Sequence, residues 1–107
     1  MAGTYNNIAG VYQRQGKYEM ALELYEKCLA IRIKALGEDH PSVATTYHSV
    51  APAKYNLADS LAKQGELARA GDLFRESAAI YSKVLGAEHE QTLNALKGAR
   101  RCEQGAA

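Results

Sequence analysis

Residues 16–40 of this chain recur 49 positions on, as residues 65–89. Gly16 aligns with Gly65, Ala21 with Ala70, Tyr25 with Phe74, Ile31 with Ile80, Leu36-Gly37 with Leu85-Gly86, and His40 with His89. An internal period of this size restricts the fold to one supersecondary unit, repeated and stacked. The unit reads as helical. Tyr5, Ile8, Ala9 and Tyr12 fall at i, i+3, i+4 and i+7, one face of a helix that ends where Gly16 supplies a left-handed residue. A second stripe of Ala21, Leu22, Tyr25, Cys28, Leu29, Ile33 and Leu36 lies opposite Glu23, Glu26, Lys27 and Lys34 and stops at Gly37. Two helices joined by so short a turn pack as an antiparallel hairpin. After the second copy, Thr92, Leu93, Leu96 and Ala99 predict a last amphipathic helix that caps it.

Composition narrows the function classes. With 107 residues the chain is the size of one domain. A net charge of +1 makes no case for nucleic acid or an anionic membrane, and Arg100-Arg101 is the only arginine pair. No apolar run approaches the roughly 20 residues that span a bilayer. The start lacks the basic and apolar segments of a signal peptide, so a cytoplasmic protein is expected. Cys28 and Cys102 are too few for a disulfide framework and are expected to fill space in the core.

These residues resemble the tetratricopeptide repeat (TPR), in its longer form of 42 residues found in kinesin light chains. The first hairpin meets the family pattern with Tyr5, Ile8-Ala9, Tyr12, Gly16, Tyr18, Ala21, Tyr25 and Cys28. The second meets it more loosely with Lys54, Leu57-Ala58, Leu61, Gly65, Leu67, Ala70, Phe74 and Ser77. ALGEDHPSVATTY, residues 35–47, looks like the kinesin-light-chain turn between repeats. Lys54, where a large apolar residue is usual, and Gly71, which weakens a helix by about 1 kcal/mol relative to alanine, mark the second hairpin as a degenerate copy. The resemblance implies an all-α TPR superhelix of about two and a half hairpins in a single domain, 1–107. Hairpin 1 is expected over about 2–37, hairpin 2 over about 41–86, and a capping helix over about 89–103.

Hairpins 49 residues apart exceed the 42-residue repeat by seven, and the alignment places the extra residues at about 51–58. Seven residues shift a helical face by only about 20°. Val43, Tyr47, Val50, Ala51, Leu57, Ala58 and Leu61 accordingly keep one side, with Lys54 the one polar interruption. Pro52 opposes a continuous helix, because proline removes a backbone bond and clashes with the carbonyl four residues back, at a cost of about 3 kcal/mol. Two structures are open: a long helix from Pro41 kinked near Pro52, which the unbroken register favours, or a break with Ser49 capping a new helix.

The resemblance also implies a partner-binding groove lined by the first helix of each hairpin. On the first helix this side holds Gly3, Asn6, Gly10, Gln13 and Arg14; on the long helix it holds Thr45, His48, Pro52, Tyr55, Asp59 and Ala62. Asn6 can bracket an extended backbone with its carboxamide, and Tyr55 offers a rigid apolar face with a polar tip. The binding candidates are thus Asn6, Gly10, Gln13, His48, Tyr55 and Asp59, in a small groove of mixed charge. Either carboxamide or ring could equally be an ordinary helix-surface or packing residue. His40 and His89 recur at equivalent turns and read as caps rather than metal ligands. No phosphate loop, nucleophile elbow or catalytic triad order is present. The expectation is a non-enzymatic scaffold without cofactor or metal that binds a protein or peptide, and neither nucleic acid nor membrane. Because the first helix begins almost at residue 1, a piece of a longer array is expected, or a protein that covers this end by self-association. A second reading makes the lengthened helix a surface for dimerisation, since two extra turns would leave apolar side chains uncovered.

Overall fold

In the computed structural model, which describes residues 2–105, the stripes become five α-helices: α1 (Ala2–Arg14), α2 (Tyr18–Leu36), α3 (Pro41–Lys63), α4 (Leu67–Leu85) and α5 (Glu90–Glu103). The repeat in sequence is a repeat in geometry. At the turn after α1, the Lys17 N–H donates to the Tyr12 carbonyl (2.9 Å) and the Gly16 N–H to that of Gln13 (3.1 Å). After α3, Glu66 donates to Leu61 (2.9 Å) and Gly65 to Ala62 (3.0 Å). Gly16 and Gly65 sit at φ 78° and 86°, where a side chain would clash with the backbone. His40 and His89 also repeat their role: each Nδ1 accepts the backbone N–H two residues on, from Ser42 and Gln91, at 3.1 Å. A side-chain acceptor at a helix start satisfies one of its orphan donors.

The chain divides into two compact units, residues 1–53 and 54–107, with the boundary inside α3. The N-terminal unit buries Ala9, Ala21, Leu22, Tyr25, Cys28, Val43, Val50, Ala51 and Ala53. Thr46, fully buried, is satisfied three ways: its hydroxyl donates to the Ser42 carbonyl (2.9 Å), accepts from Arg32 Nη1 (2.7 Å) and lies 3.9 Å from Cys28 Sγ.

The C-terminal unit is built around Phe74, 2% exposed. α5 approaches α4 so closely that a Cβ on Gly98 would lie 2.7 Å from the Phe74 ring. A Cβ on Gly71 would meet Cys102 Cβ at 3.3 Å. Gly71, which reads in sequence as a flaw in a helix, is therefore a residue that lets α5 pack. Lys54 is buried as well, and its Nζ donates to Glu76 Oε1. The polar interruption in the α3 stripe faces the core after all, and a carboxylate at its rim meets the ammonium.

α3 runs unbroken through Pro52, so the continuous helix is the one formed. Ser49 lies inside α3 and starts no new helix. The missing proline N–H deprives the His48 carbonyl of its helical partner, while Val50, Ala51, Ala53, Leu57 and Ala58 are all buried around the site. Burying such side chains contributes on the order of 25 cal/mol per Å² of apolar surface, enough to offset one lost bond. The extra turns are consequently absorbed into the cores. Among the described residues the exposed large apolar side chains are Ile8, Val11, Met20, Ile31, Leu36, Leu93 and Leu96, none of them on α3, so the apolar surface anticipated on the lengthened helix is not there. No helix of the described residues is long and apolar enough to cross a membrane.

Two outcomes follow from this packing. Amide hydrogen exchange at residues 50–55 is slow, as in the flanking turns of α3; fast exchange there would show a broken helix. Gly98→Ala lowers unfolding free energy by about 1–3 kcal/mol in urea titrations, because the new methyl must displace a buried ring.

Candidate functional site

α5 carries Gln91, Asn94, Lys97 and Arg101 at intervals of three to four, hence along one side, with Arg100 beside them and Gln104 at the C-cap. Across from this side stands Tyr55, the second residue of α3 to fall in the C-terminal unit. Its ring meets Phe74 edge-on, with centroids 5.3 Å apart and planes at 74°, a geometry that pairs the positive edge of one ring with the negative face of the other. Two cavities open on either side of Tyr55 and Asn94. One, of about 370 Å³, is lined by Tyr55, Asn94, Lys97, Arg100, Arg101 and Gln104. The other, of about 140 Å³, is lined by Tyr55, Tyr81, Gln91 and Asn94.

The charge of this cleft is one-sided. Four carboxylates of the same unit pair with other cations: Asp59 with Lys63 at 3.2 Å, Glu103 with Arg75 Nη1 at 3.0 Å, Asp72 with Arg75 Nη2 at 2.6 Å, and Glu76 with Lys54. No acidic residue lines the larger cavity, and three cations do. This cavity is basic where a groove lined by α1 and α3 is expected to be of mixed charge, because its cations come from α5. The shared spacing of His40 and His89 is the available signal in the sequence: the helix that follows His89 is the counterpart of the one that follows His40.

The sequence candidates fall in different places. Tyr55 lies at the centre of the cleft. Asp59 is half-buried and lines a separate cavity of about 200 Å³ with Phe74, Gly98, Arg101 and Cys102. His48 is exposed and lines neither cavity beside Tyr55. Asn6, Gly10 and Gln13 lie in the N-terminal unit on one stripe of α1, all half-buried. A Cβ on Gly10 would stand 3.8 Å from the Tyr25 hydroxyl. Asn6 Oδ1 and Gln13 Oε1 are shut off from solvent without a hydrogen-bond partner, an arrangement that costs about 1–3 kcal/mol per group until a donor arrives. Among the described residues no three His, Cys, Asp or Glu side chains are grouped to hold a metal.

This architecture, helical hairpins turned at glycine with a cleft along a first-type helix, is that of a helical-repeat protein. A tetratricopeptide repeat model matches residues 1–42 and a second matches residues 49–104; the chain belongs to the tetratricopeptide repeat family. It is of kinesin-light-chain type. It is similar to the crystal structure of kinesin light chain nearly identical TPR-like repeats from Podosopora anserina, at 29% identity and a TM-score of 0.50. A single-residue variant of that protein follows at 28% identity and a TM-score of 0.49. Each match covers 97% of this chain, which in turn spans 46% of theirs. No curated protein sequence matches significantly. TPR repeats generally mediate protein–protein interaction.

The buried tyrosines make the fold sensitive to alkali. Tyr81 is raised above the ordinary 10.0 by burial and then by repulsion from the neighbouring Tyr55 phenolate. Tyr25 is raised by burial, against Arg14 and a hydrogen bond with Ser49, which lower it. A raised acid keeps its proton longer in the folded state, so its contribution is complete below pH 10.0 and is lost as pH rises through the folded value. Unfolding free energy measured in urea should fall above about pH 10, and Tyr81→Phe should make that fall shallower.

Proposed function

We propose that this chain is a protein-interaction module that receives a segment of a partner protein along α5, with Tyr55 as its central contact and no catalytic step. The observation that carries the reading is the place of Tyr55, at the junction of two cavities and braced by Phe74. A side chain held in one rotamer loses little entropy on binding, and tyrosines in such positions are common hot spots. Asn94 supports it by supplying a donor and an acceptor at the same junction.

The α1 stripe is a second contact set in this proposal. Asn6 and Gln13 are seven residues apart, about 10.5 Å along a helix at 1.5 Å per residue. Three residues of extended chain cover about the same distance at 3.3 Å each. Their two oxygens are closed to solvent in the free chain, so in this proposal the carboxamides turn outward to meet the backbone of an extended segment, with Gly10 leaving the space between them open. His48 is free to touch a partner from the exposed side of α3, whereas Asp59 is held by Lys63 and is assigned no direct contact.

Selection from a displayed random-peptide library tests the reading. Peptides selected on the intact chain should lose about tenfold or more in affinity, 1.4 kcal/mol or above, against Tyr55→Ala. Asn94→Ala is a control that leaves the Phe74 contact in place and should weaken the same peptides. Selected peptides that bind both variants unchanged would place the groove elsewhere.

A further inference from the structure

Lys97, Arg100 and Arg101 occupy positions i, i+3 and i+4 of α5, are exposed, and line one cavity. Among the described residues none of the three makes an ion pair, and Asp59, Asp72, Glu76 and Glu103 of the same unit are paired with Lys63, Arg75 and Lys54. In a chain whose net charge is only +1, three positive charges gather around a single space that no acidic residue lines; Arg101 also borders the neighbouring cavity, which Asp59 lines. Cations in the last turn of a helix are favoured by its dipole, which accounts for Arg100 and Arg101 as helix residues. It does not account for Lys97 a turn earlier, nor for the convergence of all three on the space that Asn94 and Gln104 also line.

We infer that this cavity is a phosphate site, which takes a phosphorylated side chain of the partner protein beside Tyr55. The inference rests on the protein-binding reading above and names its partner class. One carboxylate would offset a single charge. A phosphomonoester carries about −1.5 to −2 at neutral pH and offers three acceptor oxygens, which matches two guanidinium forks, an ammonium and two amide NH₂ groups. Arginine suits this better than lysine alone, because its planar fork gives two parallel bonds to a phosphate. The volume of about 370 Å³ admits the phosphate together with the side chain that bears it. Tyr55 then closes the opposite wall with an aromatic face.

The test uses three degenerate peptide pools on the full chain, identical except for a central phosphoserine/phosphothreonine mixture, glutamate, or serine, with binding read by fluorescence anisotropy. The phosphorylated pool should bind about tenfold or more tighter than the glutamate pool. Added salt should narrow that margin, and inorganic phosphate should compete. The double variant Lys97→Ala/Arg100→Ala, at two exposed positions, should abolish the preference while circular dichroism shows the helices intact. Equal binding of the phosphorylated and glutamate pools would overturn the phosphate site and leave a simple acidic groove. Equal binding of all three pools would overturn it and leave the interaction module. Binding of none, by a folded chain, would remove the interaction module as well. A preference that survives the double variant would overturn the assignment to α5.

Discussion

The C-terminal unit depends on the contact between the Phe74 ring and the bare backbone of Gly98. A ring that fits where no Cβ exists sets how near α5 can come to α4. That distance determines whether Gly71 and Cys102 also close together. The same ring presents its other contact to Tyr55, at 5.3 Å between centroids. One buried aromatic thus joins the helix that carries the basic side chains to the tyrosine that faces them. The cleft is a consequence of core packing, and a change at Gly98 would reach the cleft through Phe74 without touching any residue that lines it.

α3 shows how tertiary context overrides local preference. Proline within a helix and lysine on its apolar stripe are both unfavourable by local rules. Neither interrupts the helix. Around Pro52 five apolar side chains go into cores, and at Lys54 the ammonium reaches Glu76 while its aliphatic stem stays inside. The lengthening of the repeat by seven residues is tolerated for the same reason: nearly two whole turns keep the buried face in register.

Much of this was legible in the residues themselves. Glycines 49 positions apart marked both hairpin turns, and the paired histidines were readable as caps because equivalent places in a repeat do equivalent work. The Val43 to Leu61 stripe was enough to favour one helix over two. Tyr55 stood out from its chemistry and position, and it is central to the cleft. The α5 residues were not picked out, because an amphipathic last helix reads as a cap when only its apolar side is examined. Gly71 reads as a weakness by helix propensity, which is a property of one helix, whereas the reason for this glycine lies on another, at Cys102 of α5.

Periodicity, turn residues and the internal repeat are carried by neighbours in the chain, and they determined by themselves the class of fold, the number of hairpins and the continuity of the apolar face. Partnership between side chains distant in sequence depends on how closely helices approach and which charges find each other first. Only the tertiary structure therefore decided that Glu76 and Glu103 are taken by Lys54 and Arg75. The basic side of α5 is left facing Tyr55 because of that allotment.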